Sequence, residues 1–218
     1  GHGNLTTLLI GNSYAEKISR GVLKALGNRT KSLHVVFKPY CPVIRGLGDP
    51  GCEQFASIVL NSVEKLRPDI LFISSKFHLF PLMDEPVSRN PGNLDNATRL
   101  IQEALEEYSK FTDHIVILEP QAVFNHGIAY HLAKALAGYE DFQDLYYDID
   151  YIHKIQQPLL ARLDLIDCPK CIRVNLQDEF CNNSTRICET FDPVSKMAYF
   201  GDNHHFTVYG VQKLNSKL

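Results

Sequence analysis

Short, continuous apolar segments alternate with helical patterns along this chain, and this alternation constrains the fold more than any other feature. Four such segments are predicted to be buried strands, at residues 5–10, 33–37, 69–74 and 114–119. Strands that are apolar throughout, rather than at every second residue, are typical of parallel sheets covered on both faces. The pattern therefore predicts helices on two sides of one sheet.

Helical periodicity fills most of the remaining chain. The predicted helical segments are 14–26, 52–66, about 95–110, a long region of about 130–165, and a final helix at 208–218. A fifth strand is predicted at 171–176. We therefore predict an α/β fold, a three-layer α/β/α sandwich around a doubly wound parallel sheet of about five strands.

Length and charge narrow the class of protein. Residues 1–218, with 44% hydrophobic residues and a net charge of -3, are expected to form one domain. This charge and the lack of a Lys/Arg run give no reason to expect nucleic acid as a partner.

No apolar segment approaches the ~20 residues that cross a bilayer. Because the chain opens in an apolar run and ends inside a predicted helix, we expect it to be part of a longer protein.

Glycosylation sequons and cysteines both indicate an oxidising compartment. Asn-x-Ser/Thr sequons begin at Asn4, Asn28, Asn96, Asn182 and Asn183. The number of cysteines is six, and an even number suits a disulfide framework. We therefore expect this domain on the extracellular or lumenal side of a membrane, carrying glycans at these asparagines.

The cysteines divide into a pair and a group of four. Cys41 and Cys52 form the natural local disulfide. The remaining four cysteines are Cys168, Cys171, Cys181 and Cys188. These four allow three disulfide connectivities, which the sequence does not separate. A zinc site is the alternative for this group, because its first two members have the spacing of a zinc knuckle. The sequons favour disulfides.

The first candidate for chemistry is the turn after the first strand. Gly11 lets the chain turn sharply, and Ser13 then stands at the N-terminus of a helix. Free backbone N–H groups and partial positive charge at that position would stabilise a developing oxyanion. Alone the pattern is weak, because a serine that opens a helix is far more often a cap than a nucleophile.

A complementary pair of residues lies near the other end of the chain. A serine nucleophile needs a base to take its proton, and that base needs an acid to orient it. Asp202 and His205 supply both within one short loop. The adjacent His204 competes with His205 for the role of base.

Two blocks, Gly-Asn-Ser at 11–13 and Asp-Asn-His-His-Phe-Thr-Val-Tyr-Gly at 202–210, together carry a family resemblance. The chain resembles the SGNH (GDSL-type) hydrolase superfamily. Within it, the chain is most similar to the extracytoplasmic SGNH domains fused to acyltransferase type 3 membrane proteins, including the nematode members. The resemblance implies an SGNH/flavodoxin-like sheet, with Ser13 as nucleophile, His205 as general base and acid, and Asp202 as its orienting partner. The family's Asp-x-x-His spacing favours His205 over its neighbour.

The chain departs from the superfamily pattern at the oxyanion hole. The backbone N–H of Ser13 is one candidate donor. The family's second donor, a glycine after the second strand, has only loose candidates in Gly46 and Gly48. The Gly-x-Asn-Asp block that carries the third donor is missing, and Ser75 or Lys76 occupies its place. The membrane-fused subgroup also lacks that block.

The resemblance implies transfer of an acyl group, expected to be acetyl, through Ser13 to a hydroxyl of a carbohydrate or lipid acceptor. A fused membrane acyltransferase domain outside this chain would tether the domain and deliver the acyl group. No metal or cofactor is expected. One alternative is a soluble secreted esterase of the same fold, and another is a non-catalytic lumenal binding or regulatory module. A flavodoxin-like flavin protein shares the sheet order, but it needs a phosphate loop with more glycine and hydroxyl groups.

Overall fold

Strands and helices alternate along the first half of the chain, in the order that the hydrophobic pattern predicts. The computed structural model describes residues 2–77, 80–88, 90 and 92–214. Within these residues the strands are β1 (Leu5–Gly11), β2 (Thr30–Phe37), β3 (Ile70–Ser74), β4 (His114–Leu118), β5 (Tyr146–Asp148), β6 (Cys171–Val174), β7 (Cys181–Asn182) and β8 (Ile187–Glu189). The α-helices there are α1 (Ser13–Leu26), α2 (Glu53–Leu66), α3 (Asn96–Ser109), α4 (Ile128–Leu136), α5 (Ile149–Leu163) and α6 (Val208–Lys213).

Five strands form one parallel sheet in the order β2-β1-β3-β4-β6. This arrangement confirms the predicted doubly wound sheet and has the flavodoxin-like strand order. The chain runs from β1 outward to β2, and then crosses back to β3 on the other side of β1. The carboxyl ends of β1 and β3 therefore border the topological switch point, where open α/β sheets bind their ligands.

Successive residues of β1 point to opposite faces of the sheet and belong to two separate cores. Leu9 shares one core with apolar residues of α1, α4 and α6. Leu8 and Ile10 share the other with α2, α3 and the second half of α5. Two helical layers on two sides of one sheet confirm the predicted three-layer sandwich. In the described ranges, no helix has both the length and the hydrophobicity needed to cross a membrane.

The prediction of one long helical region at about 130–165 is wrong. Helix α4 ends at Leu136, and Gly138 then adopts a φ of 78°, a left-handed conformation that stops a helix. The chain next forms β5, which pairs antiparallel with β8, and β8 pairs with β7. Strands of two or three residues leave no periodicity in a sequence, so the pattern gave no sign of this second sheet.

Other element boundaries differ from the prediction by short segments. Strand β2 begins at Thr30 rather than at 33, and β6 ends at Val174 rather than at 176. Helix α6 ends at Lys213, and the predicted continuation of this helix over 215–218 lies outside the described residues. The core positions of the main sheet are unaffected by these differences, because they lie inside the predicted strands.

All six cysteines, each within the described residues, are paired in disulfides. The pairs are Cys41–Cys52, Cys168–Cys171 and Cys181–Cys188. The first is the predicted local pair, and the other two identify one of the three possible connectivities. The zinc alternative is wrong, because every thiol that would bind the metal is oxidised. The third disulfide crosses between β7 and β8 and holds the small sheet together.

A largely buried ion pair joins α5 to the start of α3. Arg162 is 0% exposed, and its Nε lies 2.9 Å from Oδ1 of Asp95, the N-cap residue of α3. Its other nitrogens donate to backbone carbonyls that include those of Met83 and Glu85. Burial alone would raise the pKa of Asp95, but hydrogen bonds from Thr98 and Arg162 outweigh it and lower the pKa to about 2. The pair therefore stays ionised at neutral pH.

Replacing Arg162 by Met should destabilise the fold by about 3–5 kcal/mol, because it leaves the Asp95 carboxylate buried without its cation. Urea unfolding at neutral pH, followed by circular dichroism, measures this loss. The double variant that adds Asp95→Asn removes the orphaned charge and should recover part of the stability. A single variant as stable as the wild-type protein would contradict the role given to this pair.

Candidate active site

Ser13 is the first residue of α1, two positions after the last residue of β1. The sharp turn between them requires Gly11, because a Cβ atom at that position would lie 1.8 Å from the carbonyl oxygen of Ser74 on β3. Adjacent parallel strands approach too closely here for any side chain. The strand pairing therefore fixes the point at which the serine leaves the sheet.

Asn12 joins the two sides of the switch point. Its side-chain Oδ1 accepts hydrogen bonds from the backbone N–H groups of Tyr14 and Lys76, both at 3.2 Å. The first bond caps α1, and the second connects the cap to the residues after β3. The amide is 1% exposed, so both bonds are shielded from water. This contact holds Lys76 beside the serine turn.

The loop that carries Asp202 and His205 is closed by its own backbone. The N–H of Gly201 donates to the carbonyl of His205 at 2.8 Å, and Oδ1 of Asp202 accepts from the N–H of His205 at 2.7 Å. At the following helix, a Cβ atom on Gly210 would lie 2.1 Å from the carbonyl oxygen of Tyr199. The glycine of the 202–210 block therefore lets α6 pack directly against this loop.

A second segment, which the sequence did not reveal, holds the loop from outside. Phe124 donates its N–H to the carbonyl of Asn203 at 2.8 Å, and Ile128 donates to the carbonyl of Asp202 at 3.1 Å. These are backbone contacts, which place few demands on residue type. They fix the position of the acid in the loop relative to the start of α4.

The structure brings the two ends of the chain together at one hydrogen-bonded relay. Nε2 of His205 lies 2.7 Å from Oγ of Ser13, and Nδ1 of the same ring lies 2.7 Å from Oδ2 of Asp202. A carboxylate can only accept, so Nδ1 carries the proton and Nε2 accepts from the serine hydroxyl. This is the geometry that activates a serine as a nucleophile.

The charge on Asp202 is secured by its hydrogen bonds. Burial alone would raise the pKa of this carboxyl, but hydrogen bonds from the His205 side chain and from two backbone N–H groups outweigh it. The pKa of Asp202 is lowered to about 2. The carboxylate is therefore ionised at neutral pH, and a charge of this sign would stabilise an imidazolium beside it.

His204 makes different contacts. Its Nδ1 lies 2.5 Å from Oδ1 of Asn203, while the hydroxyl of Ser13 is in contact with His205. Among the described residues, Asp202, His204 and His205 are also the one group of three metal-ligating side chains with ligand atoms within 4.8 Å. A metal ion there would have to displace the hydrogen bonds of the relay.

The relay opens into a cavity of about 230 Å³ at the switch point. The lining residues are Asn12, Ser13, Pro39, Tyr40, Lys76, Asp202, His204 and His205. Burial lowers the pKa of Lys76, and the Asp202 carboxylate opposes that shift. The wall of the cavity thus contains a cation of reduced basicity on the β3 side.

Three of the predicted oxyanion candidates do not line this cavity. The N–H of Gly46 donates to Glu53 at 2.9 Å, and Gly48 packs against the ring of Pro42. Ser75 is buried, and its Oγ has no hydrogen-bond partner among the described residues. Both glycines lie in the loop after β2 and are not among the residues that line the cavity beside Ser13.

Tyr40 lines the cavity, three positions after the last residue of β2. Its φ is 63°, in the left-handed region that favours glycine. The sequence gave no signal for this residue, because tyrosine seldom adopts that conformation.

Comparison with solved structures agrees with this fold. The periplasmic domain of a lipopolysaccharide acetyltransferase from Salmonella ser. Paratyphi A aligns with a TM-score of 0.71 at 14% identity, covering 100% of this chain and 83% of that chain. A catalytic mutant of an acetylxylan esterase from Geobacillus stearothermophilus aligns with a TM-score of 0.57 at 13% identity, covering 100% and 93%. Identities this low show the fold alone.

Sequence comparison identifies the family to which the chain belongs. No curated protein is similar enough in sequence to count as a match. Residues 1–218, the whole chain, match the family described as the SGNH domain fused to AT3 domains. The chain therefore belongs to this SGNH domain family.

Proposed function

We propose that this domain transfers an acyl group, with Ser13 as nucleophile, His205 as general base and acid, and Asp202 as its orienting partner. The observation that carries the proposal is the continuous relay from Asp202 through His205 to Ser13, with both hydrogen bonds at 2.7 Å. Family membership supports acyl transfer or ester hydrolysis, and it argues against the alternative of a flavin protein.

The first half-reaction forms an ester on Ser13. As Oγ attacks the acyl carbonyl, Nε2 of His205 takes the hydroxyl proton, and the resulting imidazolium is stabilised by the Asp202 carboxylate. The bond to the leaving group then breaks, and His205 gives its proton to the departing oxygen. The second half-reaction runs in reverse, with an acceptor hydroxyl attacking the acyl-enzyme while His205 takes its proton.

Two donors are available for the oxyanion that forms in each half-reaction. Ser13 is the first residue of α1, where backbone N–H groups have no partner within the helix. The Lys76 ammonium, on the opposite side of the switch point, supplies the second stabilising group and substitutes for the missing asparagine. Its burial to 7% exposure strengthens that interaction, since little water screens it.

The size of the cavity supports a short acyl group such as acetyl. Space of about 230 Å³ beside the serine suits a small acyl group together with part of its acceptor. The two structural neighbours are an acetyltransferase acting on lipopolysaccharide and an esterase acting on acetylxylan, by their names. We therefore extend the proposal to acetyl transfer onto a hydroxyl of a carbohydrate or lipid acceptor. When water replaces the acceptor, the same site is an esterase.

The proposed setting is the extracytoplasmic face of a membrane. Three disulfides and a family described as fused to AT3 domains support an extracytoplasmic domain. We propose in addition that a membrane acyltransferase region tethers this domain and supplies the acyl donor. The sequon residues Asn4, Asn28, Asn96, Asn182 and Asn183 are exposed, which suits glycan attachment.

Labelling with a fluorophosphonate probe should require His205 and not His204. The variant His205→Gln removes the acceptor of the Ser13 proton and should abolish labelling, whereas His204→Gln should retain most of it. In-gel fluorescence of the folded variants measures the difference, with Ser13→Ala as the blank. The reverse pattern would reassign the base. A well-folded wild-type domain that does not label would support the non-catalytic module instead.

Replacing Lys76 by Met should slow acylation by about 10²–10³-fold, the effect of removing one oxyanion donor. The burst of p-nitrophenol from p-nitrophenyl acetate measures this rate. Because burial lowers the pKa of Lys76, the wild-type rate should fall at alkaline pH below the range of an ordinary lysine. Lys76→Arg, which stays protonated, should remove that alkaline loss. An unchanged rate in Lys76→Met would exclude the ammonium from catalysis.

A further inference from the structure

One exposed aromatic side chain stands at the catalytic cavity in a strained backbone conformation. Tyr40 is 80% exposed, lines the same cavity as Ser13 and His205, and has a φ of 63°. A tyrosine in this conformation persists only where the surroundings impose it, and such residues cluster at functional sites. The ring is not packed in a core, and the backbone that carries it is strained. Packing therefore does not explain why a tyrosine stands here.

The turn that contains Tyr40 is anchored on both sides. Before it, the N–H of Lys38 donates to the carbonyl of Gly11 at 3.3 Å, which ties the turn to the strand that leads into Ser13. After it, Cys41 donates its N–H to the carbonyl of Lys38 at 3.2 Å and is bonded to Cys52. These contacts hold the backbone of Tyr40 at a fixed position relative to the nucleophile.

The chemistry of the cavity indicates what such a ring would contact. Besides Tyr40, the lining residues are Pro39 and six polar residues, which supply one hydroxyl, one amide, one ammonium, one carboxylate and two imidazoles. The cavity of about 230 Å³ is too small to enclose a long alkyl chain. A pyranose ring has an apolar C–H face for an aromatic ring and hydroxyls for polar partners, so it matches both parts of the wall.

We infer that Tyr40 is the platform on which a pyranoside acceptor stacks while one of its hydroxyls faces the acyl-Ser13 ester. The inference rests on the proposed acyl transfer to a carbohydrate hydroxyl and adds to it the residue that selects the acceptor. In this arrangement the aromatic ring orients the sugar, and the relay acts on the hydroxyl that the ring presents. Selection of a ring-shaped alcohol over a flexible one follows from that contact.

The test compares two alcohols as acceptors of the acetyl group placed on Ser13 by p-nitrophenyl acetate. Methyl β-D-xylopyranoside is the ring-shaped probe, and glycerol is a polyol without a ring. The selectivity is the ratio of the two second-order rate constants for transfer, followed by mass spectrometry of the acetylated alcohols. In the wild-type domain the pyranoside should be preferred by about tenfold, the worth of one aromatic contact.

Three variants separate the ring from the backbone. Tyr40→Gly fits the left-handed conformation without a side chain, so the turn is kept, and the selectivity should fall to about one. Tyr40→Phe keeps the ring and should keep the preference. Tyr139→Ala removes a tyrosine that is 82% exposed but does not line the cavity, and should leave the preference unchanged.

A wild-type domain that acetylates Ser13 but transfers equally to both alcohols overturns the inference and leaves the proposed function intact. A preference that survives in Tyr40→Gly, or that is lost equally in Tyr139→Ala, also overturns it. A folded wild-type domain that never acetylates Ser13 overturns the proposed function, and the acceptor platform with it.

Discussion

The hydrogen bond between the Ser13 hydroxyl and Nε2 of His205 joins residues that are 192 positions apart, and the site depends on it. One end is set by the approach of β1 to β3, which leaves room for no side chain at Gly11. The other end is set by the backbone of the 202–205 loop and its contacts with Phe124 and Ile128. Neither partner sits on a free loop, so the relay is preorganised rather than assembled by the substrate.

The layered sheet explains why the two ends of the chain can meet. A doubly wound sheet brings the ends of β1 and β3 to the switch point, and α6 packs on the same face as α1. The final loop therefore passes over the start of α1 before the last helix begins. The buried Arg162–Asp95 pair holds the helices on the opposite face, away from the relay.

The features of this molecule that could be predicted are those that depend on particular side chains or on long periodic segments. The continuous apolar segments predicted the parallel sheet, because strands that are buried on both faces are apolar throughout. The positions of Ser13, Asp202 and His205 could be proposed because each residue type is required at a fixed spacing within a short block. Pairing of Cys41 with Cys52 followed from their closeness along the chain.

The remaining features depend on backbone geometry, for which residue type is a poor guide. Tyr40 adopts a left-handed conformation that favours glycine, and a tyrosine in the sequence gives no sign of that turn. The support from Phe124 uses only its N–H. The short strand β5 pairs with β8, some forty positions later in the chain, and its few residues carry no pattern of their own.

The most direct test of the relay is to identify the atom that carries the acyl group. The domain is incubated with p-nitrophenyl acetate, quenched in acid and digested, and the peptides are sequenced by mass spectrometry. The account predicts one acetyl group on Ser13, absent from the Ser13→Ala variant. Acetyl found only on lysine side chains such as Lys76, or equally in both proteins, would contradict it.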